Sequence, residues 1–297
     1  MYILRALDIT YWALTDGQAR GIIRSMNSIV RDYLAYAFES TSRLAKQLNH
    51  ESLTPVVAMW QEDNYLVVAT CDGYRQHEFR LLMFRDDGSS PVLLHQRVLS
   101  FSPAAIAAAA RALDEKLGEI DSLHVDYYDD QTTISLLASG ITIGLKATES
   151  QHKDHIRRFA ATFIETERPD AIKINAKELL AALPKPRRNN ERMYMLVHFH
   201  GNTWQAGMQP DMASWQPNEH NGTFDADDVQ GTPDCRLNVH MLREALEVAE
   251  RYYPFAECTI ALCKRNEPAL VHVSVGKGLD FRAYIMPVIN SQRWWKN

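Results

Sequence analysis

Cysteine is scarce in this chain. Cys71, Cys235, Cys258 and Cys263 are its four thiols, spread over 297 residues with no CxxC pair. This excludes a disulfide-stapled scaffold and a cysteine-rich zinc motif, and it predicts reduced structural thiols in a cytoplasmic protein. Cys258 and Cys263 are five apart on a predicted strand, so they point to opposite faces and cannot share a metal. No apolar run reaches the roughly 18 residues that a membrane-spanning helix needs. The opening MYILRALDITYW is apolar but carries Arg5 and Asp8 and lacks a signal-peptide layout.

Catalytic signatures are missing too. There is no P-loop and no GxGxxG, since Gly276-Lys277-Gly278 lacks the rest of either motif, and there is no GxSxG elbow. Asp126, Asp129 and Asp130 straddle a predicted hairpin turn, where solvated carboxylates are ordinary. His198 and His200 share one face of a predicted strand. They would bind a metal with His220 or Asp225 as third donor, giving a metal-dependent hydrolase, but surface histidines are the plainer reading. We expect no enzyme, no cofactor and no metal. Basic charge is also in deficit, with 32 Lys and Arg against 37 Asp and Glu. Bulk attraction to nucleic acid or to an anionic membrane is therefore not indicated, although net charge does not describe its distribution.

What the chain does contain is a repeat. VLSFSPAAIAAAARAL from 98, IKINAKELLAAL from 172 and CRLNVHMLREALEVA from 235 each read as a short strand, a helix cap and an apolar-periodic helix. The caps are Ser102, Asn175 and Asn238, with Pro103 at a first helical position and Glu178 completing a capping box with Asn175. Ile106, Leu179 and Leu242 follow their caps at one offset, and Ala110, Leu183 and Leu246 at the next, so each helix carries one apolar stripe. A weaker fourth copy is read from Thr15, through Ile22, Ile23 and Met26. Strand-like runs follow each helix, separated by turns such as Gly201-Asn202 and Gly276-Lys277-Gly278. The unit is β-α-β-β-β, four times over.

The expected fold class is α+β: two domains, each of two β-α-β-β-β repeats, with helices on one face and antiparallel sheets on the other. The first spans 1–165 with an insertion near 31–54. TERPDA, 166–171, reads as the linker, and the second domain spans 171–297. Segment 208–234 reads as a long polar connection. Away from the apolar stripes, the helices carry Arg20, Arg24, Arg111, Lys177, Lys185, Arg243 and Arg251, a sparse basic face diluted by Glu115, Glu244 and Glu247. Such a face suits loose, sequence-independent phosphate contacts and equally an ordinary solvated surface.

Three separated stretches carry a family resemblance. CDGYRQ (71–76) follows the strand 65–70, DHIRRF spans 154–159, and AYIMPV spans 283–288. Together with the repeat they resemble the bacterial DNA sliding clamp, the beta subunit of the replicative polymerase. That family has a Thr-Asp-Gly-His-Arg-Leu stretch, an Asp-Tyr-Arg-Arg-Val run and a Met-Pro ending. The resemblance covers about 10–289 and only the family's second and third domains.

The resemblance implies a homo-oligomeric ring around duplex DNA, most simply of three two-domain chains. It also implies a pocket for polymerase and clamp-loader peptides, lined here by Cys71, Gly73, Tyr74, Arg75, Arg158, Phe159, Tyr284, Met286 and Pro287. The DNA-facing residues would be the seven basic ones named above. Cys71 and Gln76 depart from the family's threonine and leucine. The NSQRWWKN ending adds Trp294 and Trp295, which would occupy a pocket or pack on the last sheet. The alternative is a clamp-fold adaptor or inhibitor that binds peptides but closes no ring.

Overall fold

The computed structural model describes residues 20–24, 28–47, 57–63, 65–71, 74–82, 98–116, 120–128, 131–138, 141–149, 170–209, 215–252, 258–262, 268–275 and 279–288. Four β-α-β-β-β units follow one another along it. The first is β1 (Arg20–Arg24), α1 (Ser28–Gln47), β2 (Val57–Glu62), β3 (Tyr65–Cys71) and β4 (Arg75–Leu82). The second is β5 (Leu99–Phe101), α2 (Pro103–Lys116), β6 (Ile120–Tyr128), β7 (Gln131–Ala138) and β8 (Ile141–Glu149). The third is β9 (Asp170–Ile174), α3 (Ala176–Ala182), a short α4 (Asn189–Tyr194), β10 (Met195–His200), β11 (Thr203–Met208) and β12 (Gln216–Thr223), followed by the two-residue β13 (Val229–Gln230). The fourth is β14 (Asp234–Asn238), α5 (Val239–Tyr252), β15 (Cys258–Leu262), β16 (Ala269–Val275) and β17 (Leu279–Ile285).

The caps form as their chemistry requires. Ser102 Oγ accepts from Ala105 N at 3.2 Å. Asn175 Oδ1 accepts from Lys177 N and Glu178 N at 3.0 and 3.3 Å. Asn238 Oδ1 accepts from Met241 N at 3.1 Å. Each satisfies a backbone donor that helix geometry leaves without an intrahelical partner.

Repeats exchange their first strands. β1 pairs with β6 of the second repeat, and β5 pairs with β2 of the first. In the same way β9 pairs with β15 and β14 with β10. No repeat closes its own sheet, so the structural unit is a pair of repeats. The main sheet runs β1-β6-β7-β8-β5-β2-β3-β4-β17-β16-β15-β9-β13, and a separate sheet runs β12-β11-β10-β14.

Strand alternation decides what each face buries. Val57, Met59, Leu66, Val68, Phe79, Leu81, Leu99 and Phe101 share one core with Leu34, Phe38, Ile106 and Leu113 of α1 and α2. The intervening Ala58, Trp60, Val67 and Ala69 form a second cluster on the opposite face.

Three expectations are corrected. The first helix does not run from Thr15: Arg20–Arg24 is a strand, its β-branched Ile22-Ile23 set between arginines, and the helix is Ser28–Gln47. The supposed insertion near 31–54 is therefore mostly that helix, with Leu34, Ala37, Phe38, Thr41, Leu44 and Ala45 as its buried stripe. Segment 208–234 is not a plain connection. It holds β12, the last strand of its repeat, which is polar because it is an edge with neither face in the core. Of the expected linker, 166–169 lie outside the described residues, and Asp170 and Ala171 open β9.

Candidate peptide-docking seam and helix face

The two pairs of repeats meet at a strand seam. β4 and β17 pair antiparallel along their whole length, Arg75 opposite Ile285 through Leu81 opposite Leu279. On the helix side, Phe281 is fully buried and its ring centroid lies 5.0 Å from Phe79 and 5.6 Å, edge-on, from His77. Tyr36 of α1 meets Phe79 edge-on at 5.7 Å. Arg75, only 5% exposed, forms an ion pair with Glu244 of α5. Arg251 reaches Glu39 of α1 at 3.5 Å and lies over the Tyr36 ring.

The opposite face carries the docking candidate. Cross-strand pairing lines up Cys71, Gln76, Tyr284, Leu270 and Ala261 in one row over five strands. Cys71, Tyr284, Leu270 and Ala261 form an apolar cluster with Met286. Met286 N donates to Tyr74 O at 2.8 Å, and Val288 N donates to Arg236 O at 2.8 Å. The segment after β17 is thus strapped from the Tyr74 turn across to β14. Tyr74 is 55% exposed, Val288 is exposed, and Met286 and Pro287 are half-buried, which leaves apolar surface along the strap.

Beside that row lies a buried polar one. Arg80 Nη1 donates to Glu78 at 3.2 Å and to Glu62 at 3.0 Å, and Gln76 Nε2 donates to Glu78 at 3.1 Å. Burial pushes the Glu78 carboxyl above the usual range although Arg80 and Arg282 oppose it. Burial also raises the Tyr284 phenol, with the Glu78 charge adding to it. Asp280 is pushed up by burial, but hydrogen bonds and charge from His272 and Arg282 outweigh this and hold it below the usual range. Gln76 Oε1 has no hydrogen-bond partner among the described residues.

Cys71, Tyr74, Tyr284, Met286 and Pro287 therefore lie along one seam. Arg75 does not line it. It alternates with Gln76 on β4, so its side chain leaves on the helix side toward Glu244. Gln76, Leu270 and Ala261 belong to the row instead. Strand parity gave a signal for Gln76; Leu270 and Ala261 needed the strand order. Gly73, Arg158, Phe159, Trp294 and Trp295 lie outside the described residues.

On the helices, Arg111 and Lys177 are exposed, and Lys185 is exposed just beyond α3. Arg20 and Arg24 sit on β1 rather than on a helix, opposite Asp126 and Ser122. Arg243 is corrected: it is 7% exposed and donates to Leu180 O and Leu183 O at 2.7 and 3.0 Å, closing the C-terminal end of α3. Arg251 is exposed but engaged with Glu39. Arg43 and Lys46, exposed on α1, were hidden by the misplaced first helix.

His198 Nε2 lies 2.8 Å from Asp234 Oδ1, a bond that holds the Asp234 carboxyl below the usual range. His220 Nδ1 lies 3.1 Å from Ala182 O, so neither it nor Asp225 joins the histidine pair; Asp234 does. Burial pushes the Cys258 thiol up to about 12, which keeps it protonated and inert. No described helix is long and apolar enough to cross a membrane.

This architecture of exchanged repeats, with paired helices over a continuous sheet, is the sliding-clamp fold. Solved structures of the DNA polymerase III beta subunit share it over nearly the whole chain. The putative subunit from Eubacterium rectale superposes with TM-score 0.60 at 10% identity, covering 94% of this chain and 68% of that one. The Streptococcus pyogenes beta subunit gives 0.58 at 14%, covering 95% and 68%. Proliferating Cellular Nuclear Antigen from Entamoeba histolytica gives 0.50 at 12%, covering 91% of this chain and 98% of that one. This chain thus spans about two thirds of the bacterial subunits and nearly all of the amoebal protein. No family model and no curated sequence matches it.

Proposed function

We propose that the protein is a DNA sliding clamp or clamp-like processivity factor, not an enzyme, whose ring encircles duplex DNA and holds partner enzymes by short peptides. The observation that carries this reading is the pairing of last strands. The four repeats end in β4, β8, β12 and β17, and within the chain β4 pairs with β17. Among the described residues β12 pairs only with β11, and β8 meets β5 only at Thr148 and Glu149. Residues 141–147 of β8, which pair on one side with β7 and have no second strand among the described residues, and β12 are therefore equivalent edges, one on each pair of repeats. Joined head to tail between copies they make a heterologous interface, which yields a ring if the rotation closes.

Arg111, Lys177 and Lys185, with Arg43 and Lys46 added, supply loose phosphate contacts. Looseness suits the task, because topology does the holding and tight contacts would stop sliding; the tether raises a partner's local concentration at its template. Light scattering should give the mass of a trimer, and the protein should stay on circular DNA but run off linear DNA. A strict monomer at micromolar concentration without retention on circles would sink the ring and favour a peptide-binding adaptor.

The seam supplies the second activity. An apolar row with an exposed tyrosine and a methionine fits a peptide anchor pocket. Tyr74→Ala and Met286→Ala should each weaken a clamp-binding peptide by at least about 1 kcal/mol. Unchanged affinity in both, measured by fluorescence anisotropy, would show the peptide to dock elsewhere.

A further inference from the structure

We infer that His198, His200 and Asp234 form a binding site for a divalent transition-metal cation, with zinc the best match. β10 places the two histidines on one outward face, two residues apart, while Val197 and Phe199 between and beside them point into the core. β14 runs antiparallel alongside, with Asp234 directly opposite His200. The three donor atoms all lie within 4.8 Å of one another. Asp234 Oδ1 is 2.8 Å from His198 Nε2 and 3.9 Å from His200 Nδ1.

A tetrahedral zinc ion has bonds of about 2.0–2.2 Å to such donors, so its ligand atoms stand roughly 3.3–3.5 Å apart. The observed spacings bracket that value, and small side-chain rotations close the difference. Two imidazoles with one carboxylate suit zinc, nickel or copper and are poor ligands for magnesium or calcium, which prefer oxygen alone. Three protein donors on an outward face leave a fourth position open to solvent or to a partner's side chain.

The charge nearest the site opposes a cation, since Arg236 stands opposite His198 on β14. Its guanidinium is drawn aside, however. It lies over the Trp215 ring at 5.2 Å and donates to Gln209 Oε1 at 3.4 Å. The same Trp215 meets the His198 ring edge-on at 6.3 Å and walls that side of the site. The plainer alternative is a hydrogen-bonded His198–Asp234 pair that binds no ion. It gives no part to His200, whose Nδ1 stands 3.9 Å from the same carboxylate oxygen, and the two readings differ in whether His200 contributes to ion binding.

The test is calorimetric titration of the full chain with zinc chloride alone, beside visible spectra with cobalt(II). We expect one ion per chain and a d–d absorption band from cobalt. His200→Ala and Asp234→Asn should each weaken zinc binding by about tenfold or more, at least the loss seen when an outer partner of a ligand is removed. Asp234→Asn keeps the shape and a hydrogen-bonding group within reach of His198, so a folding defect would not mimic the result. No saturable zinc binding by the wild type, or equal affinity in both variants, would overturn the site.

Discussion

Replacing Phe281 with alanine lowers stability by about 3–5 kcal/mol, the range for removing a buried aromatic ring. Phe281 is fully buried on β17, with Phe79 and His77 of β4 packed on its ring. Tyr36 braces Phe79 from α1, so the ring closes a stack that runs from the fourth repeat to the first helix. The neighbouring atoms belong to paired strands that cannot slide inward, and most of the cavity stays open. Phe281→Leu, which keeps much of the volume, should cost distinctly less. The exposed Arg251–Glu39 pair spans the same seam but contributes little, because solvent screens it. Denaturant unfolding of the three proteins measures the order. A loss below about 1 kcal/mol for alanine would mean that the seam is not a packed core.

The helices that announced themselves were those with a polar cap directly before the apolar stripe. Ser102, Asn175 and Asn238 placed three of the four to the residue. The first failed for a physical reason: the stretch from Thr15 through Met26 imitates helical spacing, while the real helix begins at Ser28 with no acidic residue in its first turn. β12 escaped because QPNEHNGT has none of the β-branched or aromatic content of a core-facing strand. Its partner on β11 supplies the register, and a sequence does not display that.

The candidate site divides in the same way. Cys71, Tyr74, Tyr284 and Met286 were legible because a resemblance joined distant stretches. The side of the sheet is not legible in the sequence: the resemblance puts Arg75 in the pocket, whereas strand alternation sends it to Glu244. Arg243 looked like one more surface cation on a helix, and only the position of α3 shows that its guanidinium is spent on two carbonyls. Asp234 is the same kind of case. It is distant in sequence from His198 and His200, and only the pairing of β10 with β14 brings it to them.

Between pH 6.5 and 4 the protein loses about 3 kcal/mol of stability through one buried histidine, at about 1.36 kcal/mol per pH unit. His77 lies at the seam, its ring edge-on to Phe281, and neither ring nitrogen has a hydrogen-bond partner among the described residues. Burial, and then the charges of Arg75 and Arg43, lower its pKa from 6.5 to about 3. The folded chain thus keeps His77 neutral through the window in which the unfolded chain takes up a proton. More protons on the unfolded state mean that stability is whole above pH 6.5 and falls as pH drops toward 3. His240, lowered to about 4 mainly by burial, adds a smaller loss of the same sign because it is partly exposed and solvent screens it. Glu78 acts the other way. Its raised pKa means that the folded state binds a proton more readily, which favours folding as pH falls into that range. The contribution of His77 is therefore isolated by comparison: His77→Leu should flatten the slope between pH 6.5 and 4 while costing little at neutral pH, since no hydrogen bond to a described residue is lost. Parallel stability–pH curves for the two proteins would show that His77 takes up its proton inside the fold and that the seam is wetter than its packing implies.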